Sequence, residues 1–186
     1  PWGPWPSWCG GIAEDAAGHI WFGYGTPRDA HSMGVVHYDG ETFCVCGEES
    51  GLLPLAETSY ALGADAQGRI WIGGGGHLWR VEDGQYNSIS IPVHSDGEPI
   101  GIYKMQRDRE GRLWFCTLNR GAGVFCCADG ELRHLVGDLL PFAPINGIWL
   151  DREGLLWFAT FGGGLACCDR RGIESLGSED GLPGGD

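Results

Sequence analysis

Asp151-Arg152-Glu153-Gly154-Leu155-Leu156-Trp157-Phe158-Ala159-Thr160 decides the fold, because the chain repeats its pattern four times. The same pattern opens at Asp15, Asp65 and Asp108, so the anchors lie 50, 43 and 43 residues apart. Gly stands third after each anchor (Gly18, Gly68, Gly111, Gly154) and Trp sixth (Trp21, Trp71, Trp114, Trp157). A repeat of roughly 40 to 50 residues means propeller blades or a helical array. The units are rich in Gly and aromatic residues and hold no useful amphipathic helical stretch, which favours blades. In Asp-x-x-Gly the carboxylate can accept backbone N–H bonds within the turn, while Gly supplies the positive φ that closes a hairpin. The apolar runs that follow, such as Ile70-Trp71-Ile72 and Leu113-Trp114-Phe115, read as strands covered on both faces, with Trp filling the core between neighbouring sheets.

Outward from each Trp comes a Gly-led strand, from Gly34, Gly76, Gly123 and Gly164, and then a short strand after a polar turn: ETFCVC, QYNSISI, ELRHLV and GIESLG. The expected fold class is all-β: a β-propeller segment of four four-stranded antiparallel blades, forming a single segment over 1–186. The blades are expected at approximately 8–50, 58–93, 100–137 and 144–177, with 178–186 as the lead-in to a further repeat.

Composition narrows the functions. Among 186 residues, 12 Lys plus Arg face 25 Asp plus Glu, a formal net charge of −13. A chain so acidic repels a phosphate backbone, so no nucleic-acid partner is expected. The 34 Gly and 10 Pro mark frequent turns, yet nine Trp could not stay solvated in a disordered chain. No apolar stretch approaches the ~20 residues of a membrane helix, so no span is expected in this segment. Pro1 opens the chain with no signal peptide before it, and the chain reads as processed or cut from something longer.

The eight Cys do not form a zinc pattern: Cys44 and Cys46 are two apart, Cys126-Cys127 and Cys167-Cys168 are adjacent, and neighbours in a strand point to opposite faces. Cys126 and Cys167 occupy matching places in consecutive units, a spacing of about 10 Å that is too wide for a disulfide. The repeat aligns His37 and Trp79 with them. Buried free thiols are the expectation. Six His are scattered without a ligand motif, and neither a nucleophile elbow nor a phosphate loop is present, so no metal, no cofactor and no catalytic residue is assigned. The Gly73-Gly74-Gly75-Gly76 run reads as a tight turn between the second and third strands of its unit.

With its Gly-Thr or Ala-Thr and Gly-Gly-Leu continuation, the Asp-x-x-Gly-x-apolar-Trp pattern resembles the two-component regulator propeller repeat. The resemblance covers nearly the whole chain. It is best in the fourth unit, which continues to Gly163-Gly164-Leu165, and Glu179-Asp180-Gly181-Leu182-Pro183 looks like the opening of a fifth. The glycine run of the second unit and the insertion Tyr24 to Met33 of the first depart from the pattern. The resemblance implies a larger ring of about seven blades, whose remaining blades, or a second copy, would be the partners of this segment. It also implies a periplasmic or extracytoplasmic location, although free thiols leave the cytoplasm open. The implied function is a non-catalytic sensor of an extracellular cue, with a carbohydrate as candidate ligand. Two alternatives stand beside it: a lyase resembling streptogramin lyases, which place a His, a Glu and a metal at the channel, and a protein-interaction scaffold. In a propeller the loops from second to third strand and from blade to blade gather at one face. There the candidates are Arg28, His31, Tyr60, His94, Tyr103, Asn119 and Arg120, with Asp29 and Asp96 nearby: rings to stack on sugars and charges to bind hydroxyl and uronate groups.

Overall fold

The computed structural model describes residues 8–25, 34–46, 61–74, 76–91, 101–117, 123–128, 131–135, 144–169 and 173–183. They form four antiparallel sheets, each a meander in chain order. The first holds β1 (Trp8–Glu14), β2 (Ile20–Gly25), β3 (Gly34–Tyr38) and β4 (Phe43–Cys46). The second holds β5 (Ala61–Ala64), β6 (Ile70–Gly74), β7 (His77–Glu82) and β8 (Gln85–Ile89). The third comprises β9 (Ile102–Arg107), β10 (Leu113–Thr117), β11 (Val124–Ala128) and β12 (Glu131–Leu135). The fourth comprises β13 (Ile145–Leu150), β14 (Leu156–Thr160), β15 (Leu165–Cys168) and β16 (Ile173–Leu176), followed by a 3₁₀ turn at Ser178–Asp180. The all-β class and the four four-stranded sheets agree with the sequence reading. No helix among the described residues is long and apolar enough to cross a membrane.

The chain divides into two compact units, Pro1–Ile102 and Tyr103–Asp186. In the first, Trp21 and Val35 meet Leu62, Ile70, Ile72 and Trp79 in one buried cluster, so apolar side chains of the first and second sheets close on each other. Their backbones come close as well: a Cβ on Gly11 of β1 would collide with the Leu62 backbone nitrogen of β5. In the second unit, Trp114, Cys116 and Val124 meet Ile145, Leu156 and Phe158 in the equivalent way. In each unit the turns of the two sheets are also joined by a hydrogen bond, though of different kinds. Ala16 N–H donates to the Gly68 carbonyl at 3.2 Å in the first unit, and the Arg109 guanidinium donates to the Arg152 carbonyl in the second.

All five residues of β6 and of β10 are buried, as continuous apolar runs require. Three details differ from the sequence reading. Trp157 is only half-buried, because it stands in the last of the four sheets and no later sheet among the described residues covers it. Gly73 and Gly74 belong to β6 and are buried, so the glycine run is strand before it is turn. Gly74 pairs with His77, which therefore takes the place that Gly34 holds opposite Tyr24. This shifts the strand by one residue, and Arg80, not Trp79, faces the repeat Trp as His37, Cys126 and Cys167 do.

Candidate functional site

Each anchor Asp organises its turn in the same way. Asp15 Oδ1 accepts from Ala17 N–H at 2.9 Å and His19 N–H at 3.0 Å, while Oδ2 accepts from the Trp21 indole N–H at 2.8 Å. Asp65 Oδ1 accepts from Gln67 and Arg69 N–H, both at 3.0 Å, and Oδ2 from Trp71 at 2.9 Å. Asp108 takes Arg112 N–H at 2.8 Å and Trp114 at 2.7 Å. Asp151 takes Glu153 and Leu155 N–H at 2.9 and 2.8 Å and Trp157 at 2.8 Å. The Gly three residues after each Asp reverses the chain with φ of 85°, 72°, 83° and 90° at Gly18, Gly68, Gly111 and Gly154. The indole bond went unread in the sequence, where Trp counted only as apolar filler. A Trp N–H that is buried needs an acceptor, and an Asp six residues earlier in every repeat was the available signal.

These bonds favour the carboxylate form. Burial is the largest influence on Asp15 and pushes its carboxyl up, but the bonds from Trp21, His19 and Ala17, with His19 nearby, outweigh it and leave it lowered. Burial likewise raises Asp65, and the bonds from Trp71 and Arg69 more than reverse it. For Asp151 the bonds from Trp157 and Leu155 lower the carboxyl directly.

What surrounds the anchor differs between sheets. At the fourth residue after the Asp stand His19, Arg69, Arg112 and Leu155. Arg69 Nε lies 2.7 Å from Asp65 Oδ2 and Arg112 Nε 2.5 Å from Asp108 Oδ2. Asp15 has instead His19 Nδ1 at 3.4 Å, and His19 Nδ1 lies 3.0 Å from His37 Nε2. The His37 ring stacks on Trp21 with centroids 4.4 Å apart and an angle of 29°. Beside them opens a cavity of about 740 Å³ lined by Asp15, His19, His37, Arg69, Glu82 and Tyr86, wholly within the first unit. A smaller cavity of about 390 Å³ lies in the second unit over Asp108, Arg112, Glu153 and Asp169.

Of the sequence candidates, Arg28, His31, Tyr60, His94, Asn119 and Arg120 lie outside the described residues, as do Asp29 and Asp96. Tyr103 lies inside β9 rather than in a loop, half-buried, with Lys104 Nζ 5.2 Å from its ring centroid. The His residues are not all scattered: His19 and His37, 18 positions apart, are brought together by the pairing of Trp21 with His37 across β2 and β3. They lie at the end of the sheets that carries the turns β1–β2 and β3–β4, opposite the end from which the loop candidates were drawn. Cys44, Cys46, Cys116, Cys126, Cys167 and Cys168 are unbridged thiols. Cys46, Cys116, Cys126 and Cys127 are buried as expected, Cys167 and Cys168 are partly covered, and Cys44 is exposed on the short edge strand β4. Burial pushes the Cys116 thiol up to about 12 and Cys126 up to about 11, which keeps both protonated and unreactive.

No family model matches the sequence, and no curated protein is similar to it. Solved structures are similar in fold. Over 95% of its length the chain superposes, with a TM-score of 0.71 and 19% identity, on 23% of the extracellular domain assigned to the hybrid two component system BT4673 from B. thetaiotaomicron. The match to BT3049 from the same organism has a TM-score of 0.70 and 20% identity, over 96% of this chain and 24% of that one. Virginiamycin B lyase from Staphylococcus aureus gives 0.67 and 16% identity, over 90% of this chain and 55% of the lyase. The chain is a β-propeller segment. Its four sheets are blades, and they span between 23% and 55% of these solved chains.

Proposed function

We propose that this segment belongs to a non-catalytic sensor propeller that binds an extracytoplasmic carbohydrate. The reading is supported by how the repeat's carboxylates are used: in all four blades Oδ1 and Oδ2 of the anchor Asp accept N–H groups of their own turn. The acids that recur most regularly therefore hold strands in place and are not poised to move a proton. Sugar binding would fall to Tyr103 and to the loop residues Arg28, His31, Tyr60, His94, Asn119 and Arg120, through ring stacking and charged hydrogen bonds. A bound glycan fragment would act by differential affinity for two arrangements of the parent protein, shifting their populations.

A glycan array probed with the wild-type chain and with Tyr103→Ala and Arg120→Ala variants tests this. One glycan class should be retained by the wild type and lost in both variants. Binding indifferent to both substitutions removes these residues from the site, and metal-dependent cleavage of a streptogramin B by the chain would replace the sensor with a lyase.

A further inference from the structure

We propose that the first blade carries a binding site for a divalent transition-metal ion, with Asp15 Oδ2, His19 Nδ1 and His37 Nε2 as its protein ligands and Zn²⁺ as the ion this donor set favours. The inference is independent of the sensor reading. The three atoms lie within 4.8 Å of one another, and His19 Nδ1 is 3.0 Å from His37 Nε2 and 3.4 Å from Asp15 Oδ2. Two ligands on metal bonds of about 2.0–2.1 Å, at angles between octahedral and tetrahedral, end roughly 3.0–3.4 Å apart. Two imidazole nitrogens facing each other at hydrogen-bond distance need a proton or a cation between them, since their lone pairs otherwise oppose. A cation beside Asp15 satisfies both nitrogens and the carboxylate together. Nitrogen and oxygen donors of this kind suit Zn²⁺ better than Ca²⁺ or Mg²⁺, which take all-oxygen sets.

The donors are already oriented. Trp21 N–H holds Asp15 Oδ2 at 2.8 Å, and a carboxylate oxygen so engaged keeps a second lone pair. The Trp21 ring also stacks on His37 and fixes its plane. One residue thus serves as outer-shell support for two ligands, as ligating groups usually require. The cavity of about 740 Å³ leaves room for water in the positions that the protein does not fill.

The other blades serve as an internal control. Where the first places His19 and His37, the second has Arg69 and Arg80, the third Arg112 and Cys126, and the fourth Leu155 and Cys167. In the second and third blades a guanidinium supplies the positive charge beside the anchor carboxylate. Only the first exchanges it for two groups that are metal ligands when neutral.

Calorimetric titration of the full chain with Zn²⁺, in wild type and in His19→Arg, His37→Gln and Trp21→Phe variants, tests the site. His19→Arg installs the residue that the second and third blades carry, so its fold is kept. The wild type should bind one Zn²⁺ per chain with a rise in thermal midpoint. His19→Arg and His37→Gln should abolish both effects, and Trp21→Phe, which removes the outer-shell N–H, should weaken affinity about 10–100-fold. Co²⁺ loaded in place of Zn²⁺ should show ligand-field bands without a thiolate charge-transfer band. The proposal is overturned if the wild type binds no Zn²⁺, if His19→Arg binds it undiminished, or if Co²⁺ reports thiolate ligands.

Discussion

Asp15 in the first blade and Asp108 in the third accept the same indole N–H, at 2.8 and 2.7 Å, and close the same turn, yet their neighbours differ. Asp108 is buried and paired with Arg112, whose guanidinium also lies 5.3 Å from the Trp114 ring centroid. Asp15 is partly buried and faces two histidines beside a cavity. The repeat therefore constrains the carboxylate and the indole, which build the turn, and leaves free the two positions that decide what the carboxylate meets. In the third blade that freedom is used for stability. In the first it assembles a polar cluster with room for a ligand.

The largest contrast to test is removal of the two carboxylates. Asp108→Ala leaves the Arg112 Nε–H, the Trp114 N–H and the Arg112 amide without their acceptor, and should cost about 3 kcal/mol in urea denaturation. Asp15→Ala lacks the ion pair and should cost about 1–2 kcal/mol. Equal losses would mean that the indole bond, which both share, carries nearly all of the stabilisation.

Acidification gives a smaller effect. The carboxyls of Asp15, Asp65 and Asp151 sit below the ordinary 3.8 in the folded chain, and that of the surface turn residue Asp39 falls to about 2. Near pH 4 the unfolded chain thus binds more protons than the folded one, so protonation draws the equilibrium towards unfolding. Their contribution is complete above about pH 4 and is lost as pH falls through the folded values. The thermal midpoint should drop steeply below about pH 4, and less steeply in Asp65→Asn. A midpoint that holds or rises on acidification would contradict the hydrogen-bonded carboxylates.

Thiol labelling should leave stability untouched and still separate exposed edge from core. Cys44 on β4 is exposed and should react with a maleimide in the native protein, whereas Cys116 in β10 is fully buried and should react only on unfolding. Peptide mapping after a short native pulse reads this directly, and early modification of Cys116 would show that the third blade opens locally.

How much could be read in advance follows from the distance in sequence between interacting groups. The Asp-x-x-Gly turn closes within four residues and was legible with its chemistry. The indole bond spans six residues and is legible in principle, but an indole within an apolar run reads as core, and its polar edge meets the Asp only in the folded turn. In the second blade, counting from Gly76 misplaced a strand by one residue, because the turn there is tighter and His77 pairs with Gly74. That single step decides whether Arg80 or Trp79 faces Trp71.

Residue order alone settled that this chain is a series of small antiparallel sheets, since turn closure, alternation and apolar runs are local and recur at every repeat. Which side chains meet had to wait for the folded chain. The encounter of His19 with His37 depends on register across a hairpin that contains an insertion, and the cavity beside them depends on how the first and second sheets close on each other. Those are long-range matters of backbone pairing and burial, for which neighbouring letters carry no code.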